Sequence, residues 1–155
     1  MNPNNRRGVT LVELMVVVVI IGILAALASI GYSRYVRTAK IQKLKQYAME
    51  LASGQERYKS RNNFYWAGGS YVGNEDKYTN LMDFAHTIPP QIILDTEGWD
   101  GAGGSVCTIC TGAPVDLTNT GFGVRVQQDL VVGGPLTTVL VTNSMPNPLI
   151  INEGE

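Results

Sequence analysis

Two cysteines three positions apart, in Cys107-Thr108-Ile109-Cys110, are the clearest chemically capable pair in this 155-residue chain. A C-x-x-C spacing serves in thiol redox exchange, as half of a zinc site, or as a local disulfide. Zinc needs two further ligands, and the chain offers a single histidine, His86, and no second cysteine pair. A thioredoxin-like pair sits at a helix N-terminus after a strand, whereas Val106 to Thr111 reads as extended. In an extracytoplasmic setting a disulfide across a tight turn becomes the leading reading, with a modest contribution because the loop it closes is short.

Three carboxylates, Asp95, Glu97 and Asp100, lie beside Gly98 and Gly101 and form a weak calcium candidate, since their spacing departs from the D-x-[DN]-x-[DN]-G loop. His86, after Phe84 and Ala85, reads as a structural or surface histidine. Tyr35, Tyr47 and Tyr58 are interleaved with Lys and Arg, a pattern that can stack on bases, but tyrosines on a packed helix explain it more simply. No Ser/His/Asp set, Walker loop or GxGxxG fingerprint occurs. The expectation is a protein that is not an enzyme and takes no cofactor, and the net charge of -1 gives no reason to expect nucleic acid.

Glu13 is the residue most at odds with its surroundings. It stands inside an apolar run, and a carboxylate there costs a few kcal/mol at the bilayer centre and less near an interface, which makes it a functional candidate. Its bland role is to stabilise the first turn through the helix dipole, worth about 0.3 to 1 kcal/mol.

The element that carries Glu13 is legible from composition. No charged residue occurs from Leu14 to Ile30, and with Val9 to Val12 the stretch reaches about 22 residues, enough to cross roughly 30 Å of hydrocarbon as a helix. From Tyr32 to about Arg61, Ile41, Leu44, Ala48, Leu51 and Tyr58 recur at spacings of three and four, with Gln55 filling the gap, as one stripe of an amphipathic helix. No proline falls between Pro3 and Pro89, so span and stripe are expected to form one helix of about 80 Å whose front half projects. Asn62 and Asn63 are suitable terminators, because Asn tolerates the left-handed conformation.

Residues 64 to 105 read as mostly irregular, with a short helix around Leu81 to His86 and a short strand at Gln91 to Leu94. Ser105 to Thr111, Gly121 to Gln127 and Thr137 to Thr142 read as strands, and Leu149 to Ile151 as a fourth. Phe122, Val124 and Val126 alternate with Gly123 and Arg125, the period of a sheet with one buried face. The expected class is α+β: a long N-terminal helix, membrane-spanning in its first half and amphipathic in its second, packed on a C-terminal antiparallel sheet of three or four strands.

Charge is uneven. Arg34, Arg37, Lys40, Lys43, Lys45, Arg57, Lys59 and Arg61 face only Glu50 and Glu56 in the helical stretch, while beyond it Lys77 and Arg125 oppose ten carboxylates. Such separation suits self-association as well as it suits a plain solvated surface.

Gly8-Val9-Thr10-Leu11-Val12-Glu13-Leu14, continuing as MVVVVIIGILAA to Ala26, closely resembles the prepilin signature of type IV pilins and pseudopilins. In that family a short basic leader ending in Gly precedes a TLxE-type apolar helix, and the resemblance covers roughly a quarter of the chain. It implies residues 1–8 as a cleaved leader, 9–31 as the transmembrane and filament-core helix, and 32–155 as the head. Gly8 and Val9 become processing residues for a prepilin peptidase that cuts between them and methylates Val9. Thr10, Leu11, Glu13 and Gly22 become assembly residues, with Glu13 pairing with the Val9 amino group of a neighbouring subunit and setting register. Partners implied are other pilin subunits in a homo- or hetero-polymer, the peptidase, inner-membrane assembly machinery, and membrane lipid before assembly. The localisation implied is an inner-membrane precursor pool with the head extracytoplasmic, then a cell-surface filament. Val9 stands where the family usually has Phe, which leans toward a minor subunit, and Ile30 where it usually has proline.

Two observations pull elsewhere. Basic residues after the span outnumber Arg6 and Arg7 before it, so a positive-inside count alone places the head in the cytoplasm, the reverse of what the resemblance implies. Ala26-Leu27-Ala28 also fits a small-x-small cleavage site, which would release a secreted thiol-redox or binding domain beginning at Ser29.

Overall fold

A computed structural model describes residues 9–100, 107–110, 120–130, 135–145 and 147–152. Helix α1 spans Leu11–Asn62, 52 residues without interruption. The chain divides into two compact units, Met1–Thr38 and Ala39–Glu155, and α1 contributes to each.

In the first unit the described residues are essentially helix. Every large apolar side chain from Val9 to Leu27 is between 50% and 75% exposed. By length and composition α1 can cross a membrane.

In the second unit α1 buries Leu44, Tyr47, Ala48, Leu51 and Gln55, positions three and four apart that form a single stripe. The helix stops where Asn63 turns left-handed at φ 66°, its N–H donating to the Lys59 carbonyl at 2.7 Å. Against the stripe lies an antiparallel sheet of five strands in the order β1-β2-β3-β4-β5, so each strand pairs with its neighbours in sequence. These are β1 Gly68–Ser70, β2 Ile92–Asp100, β3 Thr120–Gln128, β4 Thr137–Thr142 and β5 Leu149–Ile151. Val124 pairs with Val141 and Val126 with Val139, which aligns the apolar faces of β3 and β4. Ile92, Leu94, Phe122, Val124, Val126, Val139 and Val141 close the core with Leu44 and Leu51. Each such side chain contributes about 1.5 to 3 kcal/mol by leaving water.

The α+β class, the helix end and strands β3, β4 and β5 agree with the sequence. Four expectations need correction. The sheet has five strands, and the stretch read as irregular holds β1, a second helix α2 at Glu75–Met82, and β2. The short helix is therefore Glu75–Met82 and not Leu81 to His86. It ends because Asp83 is left-handed at φ 53° and the Phe84 N–H closes back on the Tyr78 carbonyl at 3.1 Å. The strand at Gln91 to Leu94 begins one residue later and runs to Asp100, carried by pairing with β3 from Ile92↔Gln128 to Asp100↔Thr120. Cys107 to Cys110, within the stretch read as a strand, is a bend; Ser105, Val106 and Thr111 lie outside the described residues.

The other face of the sheet carries a smaller cluster of Trp99, Ile109, Cys110 and Leu140. Cys107 and Cys110 are joined as a disulfide with Cα atoms 5.4 Å apart. Their loop sits on β3 at Gly123, where a Cβ would lie 2.8 Å from the Cys110 sulfur. Only glycine admits that approach.

Candidate assembly site at the start of the first helix

Thr10 precedes the first residue of α1, and its side-chain Oγ1 accepts a hydrogen bond from the Glu13 N–H at 3.2 Å. Its carbonyl accepts from the Leu14 N–H, also at 3.2 Å. Thr10 is thus the N-cap and Glu13 the third residue of the helix, the T-x-x-E spacing of a capping box. Capping satisfies one of the amide donors that a helix start leaves without an internal partner. In the sequence only the family resemblance marks Thr10 as an assembly residue. The physical signal, a Thr three residues before a Glu ahead of an apolar run, stands in the sequence itself.

The Glu13 side chain is exposed, and its carboxylate has no hydrogen-bond or ion-pair partner among the described residues. It shares the first turn with Leu11, 75% exposed, and follows Val9, 71% exposed. Gly22 faces open space, with nothing within 4 Å of where a Cβ would stand. Gly8 lies outside the described residues. What the geometry offers is an apolar rod with one capped end that bears a carboxylate and, among the described residues of its own unit, no covering side chains.

Of the other candidate residues, Asp95, Glu97 and the cysteine pair gather on the outer face of the sheet. Asp95 is bound by Arg125, whose Nη2 and Nε donate to one carboxylate oxygen at 2.6 and 3.2 Å. Glu97 accepts from the Thr108 N–H at 2.8 Å, the Thr108 hydroxyl at 3.0 Å and the Ile109 N–H at 3.4 Å, so it holds the disulfide loop by its amides. Asp100 closes β2. Asp95 and Glu97 border a groove of about 300 Å³ with Ser70, Thr108 and Arg125, and among the described residues no three His, Cys, Asp or Glu side chains assemble as a metal site. His86 Nε2 lies 2.9 Å from a Glu50 carboxylate oxygen, its ring against Tyr47 and Phe84. Tyr47 is buried and Tyr58 half-buried in the second unit, while Tyr35 is exposed on the first. The roles of Arg125, Glu50 and Thr108 escaped sequence reading, because each depends on a partner brought in by pairing of distant strands or packing of loops.

Residues 3–29 match the model of the prokaryotic N-terminal methylation motif. No curated protein and no solved structure matches the chain. The motif covers less than a fifth of the 155 residues, all at the end where the capped apolar helix begins. Behind it, a long N-terminal helix and an antiparallel sheet make an arrangement consistent with the pilin fold. Residues 3–29 thus carry the methylation motif of a type IV pilin-like class III signal peptide.

Proposed function

We propose that this chain is a structural subunit of a type IV pilus or a related filament, cut after Gly8 by a prepilin peptidase, methylated at Val9 and polymerised through the first half of α1. The observation that carries the reading is the coincidence of the methylation motif with an apolar helix whose side chains from Val9 to Leu27 are left at least half exposed. A surface of that kind finds cover either in lipid or among identical helices. Before assembly the bilayer supplies it, with the head on the extracytoplasmic side; afterwards neighbouring subunits do.

Within the polymer Glu13 would leave the polar edge of the membrane for a protein core. A buried carboxylate needs a cation, and the amino group of Val9 on an adjacent, axially offset subunit is the one that processing itself creates. The pairing would set register between subunits. Pilus subunits and secretion pseudopilins share this machinery, so the reading covers both.

Mass analysis of the mature N-terminus tests it. N-methylated Val9 as the first residue is expected. A chain beginning at Ser29 would replace the filament with a released domain.

A further inference from the structure

We infer that Tyr32, Arg34, Tyr35 and Arg37 form an interfacial collar on α1 that binds the phosphates of anionic phospholipids while the subunit waits in the bilayer. The inference rests on the membrane-anchored reading above. Its first support is length. Glu13 and Arg34 are the charged residues that bound the apolar run, and the 21 steps between them amount to about 31 Å of helix, close to the roughly 30 Å of a hydrocarbon core. When Glu13 rests at one edge, Arg34 emerges at the other.

The second support is residue type. Tyr32 and Tyr35 are 70% and 74% exposed, large aromatic side chains left open among the described residues. They lie one helical turn apart, at the depth where Tyr and Trp are enriched because a ring can lie among acyl chains while its hydroxyl meets water. Arg34 is exposed and Arg37, one turn on, is half-buried, so the two guanidinium groups share one side of the helix and the two phenols the other, all within about 8 Å of axial rise. A guanidinium presents a planar fork that matches two phosphate oxygens, which an ammonium does not.

Charge decides which lipid. No Asp or Glu occurs between Glu13 and Glu50, and the basic run continues in sequence through Lys40, Lys43 and Lys45. Basic residues clustered beside a span draw anionic headgroups within a Debye length of the surface. A zwitterionic headgroup carries its own ammonium and gains less from the same collar. The apolar run alone has no means of telling the two lipids apart.

The full chain in mixed vesicles, probed by electron spin resonance with spin-labelled phosphatidylglycerol and spin-labelled phosphatidylcholine, tests the collar. Wild type is expected to immobilise phosphatidylglycerol in preference to phosphatidylcholine. Arg34→Gln with Arg37→Gln should bring the preference several-fold closer to parity, and Arg34→Lys with Arg37→Lys should retain most of it. Equal immobilisation of both lipids by wild type overturns the collar and leaves the span intact. So does a preference that survives the glutamine pair. Absence of an immobilised component for either lipid overturns the collar together with the membrane anchor on which it rests.

Discussion

Gln55 and Trp66 exchange two hydrogen bonds: the Gln55 amide donates to the Trp66 carbonyl at 3.1 Å and accepts from the Trp66 N–H at 3.0 Å. The same amide nitrogen donates to the Thr96 hydroxyl at 2.9 Å, which donates on to the Gly123 carbonyl at 3.2 Å. One fully buried side chain on α1 therefore fastens the segment that leaves the helix and reaches across β2 to β3. An apolar substitute would leave two partly buried Trp66 backbone groups without this partner and take from the Thr96 hydroxyl its donor.

Gln55→Leu should accordingly destabilise the second unit by about 2 to 4 kcal/mol, although leucine suits the surrounding stripe. Urea unfolding of the full chain in detergent, followed by tryptophan fluorescence, measures the loss. A change below about 0.5 kcal/mol, the usual range of surface substitutions, would mean the network is dispensable.

Gly123→Ala should lift the disulfide loop. The added methyl would meet the Cys110 sulfur at 2.8 Å and the Cys107 sulfur at 3.2 Å, with β3 held on both sides by its neighbours. Overpacking of this kind costs about 1 to 3 kcal/mol. Faster reduction of the bond by dithiothreitol is expected alongside a lower melting temperature. Unaltered reduction would show that the loop is not seated there.

Alkaline pH should weaken the fold through Tyr78. Burial, reinforced by the nearby charge of Asp95, pushes its phenol well above the ordinary value near 10. The neutral phenol donates to the Gly69 carbonyl at 2.5 Å. A raised pKa means that its stabilisation is fully present below the unfolded value near 10 and is lost as pH rises above it toward the folded value. Melting temperatures between pH 8 and pH 11 should fall, and the Tyr78→Phe chain should fall less steeply while starting lower. Parallel slopes would assign the alkaline loss to other groups.

The stripe of Leu44, Ala48, Leu51 and Gln55 was legible because a helix repeats its buried face every three to four residues, and Phe122, Val124 and Val126 were legible because a strand repeats every two. β2 was legible only to Leu94, since beyond it the outward Asp95 and Glu97 look like loop residues until Arg125 and the Thr108 amide arrive from distant segments to bind them. The true position of α2 was hidden for a similar reason. Arg57 and Arg61, reaching over from α1, donate to the carbonyls of Met82 and Leu81 at its C-terminal end, at 2.9 and 3.0 Å. Local pattern encodes faces; it does not encode which distant side chain will satisfy a terminus. At the assembly site the opposite holds, because Thr10 and Glu13 are close in sequence and their relationship is local.

That local relationship lets cap and charge be separated experimentally. Thr10→Ala removes the acceptor of the Glu13 amide and should cost about 1 kcal/mol at the helix start, fraying the first turn while the carboxylate remains. Glu13→Gln keeps the amide, and with it the cap, but removes the charge proposed to pair with a neighbour. Both variants should be cut after Gly8 and recovered from membranes, because neither change shortens the apolar run. Glu13→Gln should be missing from sheared filaments, whereas Thr10→Ala should enter them at a reduced level. If the Gln variant enters filaments as wild type does, the carboxylate serves only the helix dipole and the register proposal fails. If Thr10→Ala is excluded as fully as Glu13→Gln, the geometry of the first turn matters as much as the charge it presents.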